Sequence, residues 1–245
     1  IAGKIGTKPN IPDDIGCVNG KGILHLQCHF GLDSMMWARL GANVTAIDFS
    51  PRAILEGRGL ASKLALKVNF IESEIGDLPT HLKGQFDIVI TYFGVLTWLP
   101  DIYRWGEVAA RYVKPGGFLY VADTHPIAGL IEPDNGEKPF RFARDYFAGS
   151  EAQRYEEECG SYANPEAANI HKVSYEWQHS LADIVNSLVR AKLRIEYLHE
   201  FQYTFYDMFY FDKSMHLVQG DDGWWYMPTN EKQLPLMFSI KAARQ

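Results

Sequence analysis

Apolar positions along the chain follow two periods in turn. Residues 22–28 form a short, mostly apolar run ending in a polar turn, which predicts a buried strand. From Leu32 the apolar residues recur at Met35, Met36 and Leu40, which is helical spacing, and Gly41 supplies a C-terminal stop. NVTAID (43–48) predicts a second strand. Ser50-Pro51 then opens a second helix, with Ser50 an N-cap and Pro51 suited to the first turn. VNFIESE (68–74) is a third strand. FDIVITYF (86–93) is a fourth, apolar almost throughout, as a strand covered on both faces should be. Ile102, Trp105, Val108, Ala109 and Tyr112 make a helical stripe that Lys114-Pro115-Gly116-Gly117 stops, and FLYVAD (118–123) is a fifth strand. Strict alternation with short connections predicts an α/β fold built on a doubly wound, mostly parallel sheet.

The pattern breaks after His125. Residues 126–178 are aromatic and polar without a clear period, and are expected to form an insertion or lid. Helical spacing returns at Leu181, Ile184, Val185, Leu188 and Leu193, followed by a strand over 194–201. Residues 202–233 form a second aromatic insertion, and LPLMFSIKA (234–242) a last strand. Residues 1–21, with Pro9, Pro12 and several glycines, read as a loop approaching the first strand. The organisation expected is one domain over 1–245: an approach segment (1–21), a ligand-binding core (22–125), the lid (126–178) and a closing part (179–245).

Composition narrows the class. The chain is 245 residues long, 47% hydrophobic and 22% charged, with a formal net charge of −6. That is an ordinary globular balance, and without a basic run a nucleic-acid partner is not expected. Cys17, Cys28 and Cys159 are too few and too scattered for a disulfide framework, which points to a reducing, cytoplasmic compartment. The apolar runs are too short to span a bilayer, so no membrane partner is expected. The chain starts at Ile1 rather than Met, so a preceding piece is expected.

In a doubly wound sheet, ligands bind beyond the carboxyl ends of the strands. Asp48 ends the second strand, twenty-one residues after Gln27. An acidic residue at about that distance suits the two hydroxyls of a ribose, although it also reads as a helix-capping or solvated Asp. The turn ILHLQCHFG (23–31) keeps only Gly31 where a phosphate-binding turn would carry several glycines. Gln27 and His29 bring bulk instead, which argues against NAD or FAD and leaves room for a nucleoside without phosphates. His25, Cys28 and His29 also suggest a metal, but no second ligand cluster stands out and no metal is expected.

With GILHLQCHFGLDSMMWARLGANVTAIDFS (22–50), DLP (77–79), FDIVITYFGVLTWLPD (86–101) and VKPGGFLYVADTHP (113–126), the chain resembles class I S-adenosylmethionine-dependent methyltransferases of the bacterial small-molecule type. The resemblance covers residues 20–126 and reaches 179–201 and 234–244. It implies a Rossmann-like, seven-stranded sheet with helices on both faces and a lid after the fifth strand. The family pattern places an acidic residue and two glycines where His25, Gln27 and His29 stand. The implied cofactor is S-adenosyl-L-methionine, leaving S-adenosyl-L-homocysteine as product. Gln27, Cys28, His29 and Gly31 would line its methionine half, Asp48 its ribose, Phe49, Glu74 and Ile75 its adenine, and Thr91 the sulfonium. Phe49 and Ile75 read equally as core packing.

The methyl acceptor, a small molecule, would then meet the cofactor over the ends of strands four and five, where Tyr92, Trp98, Asp123 and His125 fall. In-line methyl transfer gains most from placing the two reactants. Where a proton must leave, His125 is the candidate base, with Tyr92 beside it; His125 reads alternatively as a cap on the strand exit before Pro126. The lid aromatics Phe140, Phe142, Tyr146, Phe147, Tyr155, Tyr162, Tyr175 and Trp177 would line a pocket or form a small core of their own. Two rival functions stay open: a nicotinamide-dependent oxidoreductase on a similar fold, and a non-catalytic S-adenosylmethionine-binding protein. A homodimer is compatible with either.

Overall fold

The computed structural model describes residues 11–133, 140–149, 151–159, 170–208, 217–228 and 233–245. Its elements run α1 (Ile11–Ile15), β1 (Gly22–Leu26), α2 (Leu32–Arg39), β2 (Asn43–Asp48), α3 (Pro51–Lys63), β3 (Val68–Glu72), α4 (Leu78–His81), β4 (Phe86–Tyr92), α5 (Ile102–Tyr112) and β5 (Val113–Thr124). Short hairpins follow, β6 (Ile131–Pro133) with β7 (Phe140–Phe142) and β8 (Gln153–Cys159) with β9 (Ile170–Glu176). Then come α6 (Leu181–Arg190), β10 (Arg194–Phe201), β11 (Tyr203–Thr204), β12 (Val218–Gln219), β13 (Trp225–Tyr226) and β14 (Met237–Ala243).

Seven strands make the central sheet in the order β10-β14-β5-β4-β1-β2-β3, with β14 antiparallel to both neighbours and the others parallel. This is the doubly wound architecture that the alternation predicts. Strand parity sorts the side chains into two cores. Leu24, Leu26, Val89, Leu119 and Val121 point towards α5 and α6. Ile23, Ile88, Ile90, Tyr92 and Tyr120 point towards α1 and α2. Burying large side chains such as Trp37, Trp105 and Phe238 on these faces contributes about 1.5–3 kcal/mol each. Ser50 caps α3 by accepting from the Ala53 N–H, and Gly41 closes α2 with a left-handed φ of 88°. At Gly106 of α5 a Cβ would lie 2.9 Å from the Ser187 carbonyl oxygen, so glycine lets α5 and α6 approach closely.

Two expectations need correction. Residues 11–15 are helical, because Ile11 and Ile15, four apart, both bury against the sheet, and the Tyr120 hydroxyl donates to Asp14 at 2.8 Å. Among the described residues, 126–178 hold two hairpins and 202–233 the strands of a three-stranded sheet, β11-β13-β12; all but β8 and β9 are two or three residues long, too short to show a period.

His25 sits mid-strand on the α2 side, with Nδ1 2.7 Å from Ser34 Oγ and its ring 4.9 Å from that of Tyr92. Burial lowers its pKa to about 3, so the folded protein holds it neutral. The unfolded chain binds a proton below the ordinary value of 6.5, so stability falls as pH drops from 6.5 towards 3. The slope from this residue approaches about 1.4 kcal/mol per pH unit. Urea unfolding at pH 7, 6 and 5 should therefore show a shallower decline in His25→Gln than in the parent; equal slopes would contradict the assignment.

Candidate functional site: the crevice between the first and fourth strands

Strands β1 and β4 are neighbours, yet the chain leaves them towards opposite edges of the sheet. A crevice therefore opens at their carboxyl ends, where such sheets bind ligands. The turn after β1 passes through three left-handed residues at alternate positions: Gln27 at φ 55°, His29 at φ 53° and Gly31 at φ 75°. The left-handed region costs a residue with a Cβ about 1–2 kcal/mol. Gly31 is obligatory for a further reason, since a Cβ there would lie 2.5 Å from the Phe70 ring. So the backbone follows a three-glycine path although two of the positions carry side chains. The Gln27 and His29 side chains leave the turn in different directions. The Gln27 amide turns to β4 and the loop after it: Nε2 donates to the Val95 carbonyl at 3.0 Å and Oε1 accepts from Thr91 at 3.3 Å. The His29 ring is exposed and packs against Phe30, with centroids 4.5 Å apart.

Three of the turn's N–H groups are engaged within the fold. Cys28 N–H donates to the Ile47 carbonyl at 2.8 Å, His29 N–H to Asp48 Oδ2 at 2.7 Å, and Gly31 N–H to the Cys28 carbonyl at 2.9 Å. A pyrophosphate cradle needs such groups directed at the ligand. The Cys28 side chain packs with Met35, Ile54 and Phe70 rather than in the crevice, and burial pushes its thiol pKa up, so it stays protonated.

Asp48 lies at the end of β2, 8% exposed. Its second oxygen accepts from the Ser50 N–H at 2.9 Å, so the carboxylate ties the β1 and β2 turns together. Each oxygen keeps a further lone pair for a hydroxyl donor. The β3 exit is joined to the same point, Ser73 N–H donating to the Asp48 carbonyl at 2.9 Å. Phe49 is 67% exposed, Glu74 is exposed, and Ile75 packs partly on the α5-side core. Hydrogen bonds thus pair Gln27 with Thr91 and His29 with Asp48, and Phe49, Glu74 and Ile75 lie on the adjoining turns.

The acceptor-side residues are arranged differently from the expectation. Tyr92 points into the α2-side core, and its hydroxyl accepts from the Trp37 indole N–H at 2.8 Å. Burial holds its pKa well above the ordinary value, so it supplies no base. Asp123, also buried, accepts from four backbone N–H groups: Gly94, Val95 at 3.1 Å, Leu96 at 2.9 Å and Thr124 at 2.7 Å. Burial raises its pKa against the pull of those donors. His125 Nδ1 accepts from the Ile127 N–H at 3.1 Å, which leaves the ring proton on Nε2, donating to Glu200 at 2.9 Å. Burial lowers its pKa while Glu200 opposes the shift. Both ring nitrogens are engaged, so its geometry is that of the alternative reading, a brace at the strand exit. Trp98 closes a 3-10 turn (Leu96–Trp98) and is 41% exposed.

Trp177, one of the aromatics named from the sequence, joins this loop to the 126–178 insertion together with His179 and Arg144, which carry no signal in the sequence. Trp177 N–H donates to the Thr97 carbonyl at 2.8 Å, and His179 Nε2 donates to the Leu99 carbonyl at 2.7 Å. Arg144 pins the two lid hairpins together: it lies 3.8 Å from Glu132 and 3.5 Å from Glu176, with its guanidinium 4.6 Å above the Tyr155 ring. Phe142, Phe147 and Tyr175 are exposed, at 60%, 80% and 50%. The Tyr162 and Phe140 side chains lie outside what is described. Among the described residues no group of three His, Cys, Asp or Glu could hold a metal ion, and no helix is long and apolar enough to cross a membrane.

Residues 23–117 match the family model described as a methyltransferase domain. A ubiquinone biosynthesis O-methyltransferase of Xanthomonas oryzae pv. oryzae is 35% identical over 103 residues, which is 42% of this chain and 43% of that protein. The chain thus spans less than half the length of that relative. Among solved structures, an S-adenosylmethionine-dependent methyltransferase from Mesorhizobium loti superposes with a TM-score of 0.64 at 18% identity, covering 98% of this chain and 99% of the other. Magnesium protoporphyrin IX methyltransferase from Synechocystis, with bound SAH, superposes with a TM-score of 0.54 at 16% identity, covering 93% and 75%. Residues 23–117 thus resemble a methyltransferase domain, and the chain shares the Rossmann-like fold of solved S-adenosylmethionine-dependent methyltransferases.

Proposed function

We propose that the protein transfers a methyl group from S-adenosyl-L-methionine to a small-molecule acceptor. One observation carries this reading: the β1 turn has a glycine-type path but its Cys28, His29 and Gly31 N–H groups are internally engaged, beside the Asp48 carboxylate at the end of β2. Such a site can read a ribose diol and does not cradle a pyrophosphate, which favours a nucleoside over a nicotinamide dinucleotide. The residues present fit the cofactor. Asp48 would accept from the ribose hydroxyls, Phe49, Glu74 and Ile75 would border the adenine, and Gln27, His29 and Thr91 would face the amino-acid end.

Once bound, the cofactor supplies an electrophilic methyl on a sulfonium. The chain's part is placement. The β4 exit and Trp98 form one wall for the acceptor, and the strap at 177–179 holds that wall from the lid side. Orientation of this kind provides up to about 7–11 kcal/mol in the best intramolecular cases. Tyr92, Asp123 and His125 act by holding the walls of the site. Free thiols at Cys17 and Cys28 support a cytoplasmic setting.

The test is turnover. The protein is incubated with methyl-labelled S-adenosylmethionine and a panel of phenols, amines, thiols and carboxylic acids, and S-adenosylhomocysteine is measured. Label transfer to at least one class is expected. No product from any class, together with no binding of the cofactor, would sink the reading. Arg144→Ala, which unpins the lid hairpins, should slow turnover about tenfold or more while leaving cofactor affinity within about threefold. Equal losses in both would place Arg144 in the cofactor site instead.

A further inference from the structure

The backbone of Val95 is held from both sides. Its carbonyl accepts from Gln27 Nε2 at 3.0 Å, and its N–H donates to Asp123 Oδ2 at 3.1 Å. The two side chains come from different strands, Gln27 from the turn after β1 and Asp123 from β5. Asp123 also accepts from Gly94 and Leu96, so three consecutive N–H groups converge on one carboxylate. The chain enters this arrangement through left-handed Phe93 at φ 71° and Gly94 at φ 78°, a path that turns those N–H groups towards β5. It leaves towards Thr97, which pairs with Trp177, and Leu99, which accepts from His179.

A glycine at position 27 would follow the same backbone without strain. It could not reach Val95. The side chain therefore has a use that offsets its left-handed conformation. We infer that Gln27 and Asp123 are positioning residues that clamp the 94–98 loop from two sides, so that the wall facing the acceptor follows the cofactor turn. The inference rests on reading the crevice as the cofactor site. A ligand settling against the β1 turn moves or fixes Gln27, and through the Val95 carbonyl fixes the loop and its pairing with the lid.

Hydrogen exchange on the full chain tests this, first without ligand. Asp123→Asn should speed exchange at Gly94, Val95 and Leu96 about tenfold. Gln27→Glu keeps the shape and the acceptor for Thr91 but sets a carboxylate oxygen against the Val95 carbonyl. It should speed exchange across 95–98 and at the Trp177 amide by a similar factor. Unchanged exchange there would overturn the clamp. Gln27→Gly separates positioning from stability: its melting temperature should stay within about 3 °C of the parent while loop exchange still rises.

The second arm uses saturating S-adenosylhomocysteine. In the parent it should slow exchange at 27–31, 48–50, 95–98 and 177. In Gln27→Gly the slowing should persist at 27–31 and 48–50 and vanish at 95–98. The same pattern in both proteins would overturn the coupling. If S-adenosylhomocysteine fails to bind the parent, the cofactor reading fails, and the ligand-free arm still decides the clamp.

Discussion

Asp48→Asn should raise the dissociation constant for S-adenosylhomocysteine about 100-fold. The carboxylate sits at the end of β2 with one lone pair on each oxygen engaged by His29 and Ser50 N–H groups. Each oxygen keeps a further lone pair. Two charge-assisted bonds to ribose hydroxyls are together worth about 3 kcal/mol, or about two decades of affinity. Asparagine keeps the size but turns an NH2 donor towards one of the two backbone N–H groups, so the turn loosens as well, by about 1–2 kcal/mol. Titration calorimetry with a melting curve on the same sample separates the effects. A stable, folded variant with unchanged affinity would show that Asp48 only ties the turns together.

The second large effect is on stability. Asp123→Ala should lower the melting temperature by roughly 10 °C. The substitution removes the acceptor of four backbone N–H groups at a residue that is 3% exposed. A donor left unsatisfied inside a protein costs about 1–3 kcal/mol, and water entering the gap recovers part of it. A net loss of about 4 kcal/mol remains, and each kcal/mol shifts the midpoint by about 2–4 °C in a chain of this size. A shift under about 3 °C would mean that solvent readily replaces the carboxylate and that the 94–96 loop is not fixed by it.

The central sheet was legible in the sequence because its strands are separated by helices with clear caps and stripes. Ser50, Gly41 and the 102–112 stripe mark their boundaries as physical chemistry requires. The two insertions were less legible, since β6, β7, β11, β12 and β13 have only two or three residues each and carry no period. The helix at 11–15 was hidden behind prolines and glycines, although Ile11 and Ile15 at helical spacing were a signal.

In the site, Asp48 could be found from its distance to the turn. Tyr92 could not be oriented, because β4 is apolar on both faces and adjacent Thr91 and Tyr92 give no parity cue. Thr91 faces the crevice side and Tyr92 the core with Trp37. The engagement of His125 with Glu200 spans 75 residues of chain and leaves no local trace. The same holds for Asp123, whose role depends on donors 27 to 29 residues away. The path of the turn at Gln27 and His29 was hidden for another reason: left-handed φ usually selects glycine, and here side chains occupy it.

The most direct measurement is calorimetric titration of the intact protein with S-adenosylhomocysteine, followed by NADH as competitor. One-to-one binding of S-adenosylhomocysteine is expected, with a dissociation constant below about 100 μM and undisturbed by NADH. Binding of NADH that excludes S-adenosylhomocysteine, or no binding of either, would contradict it.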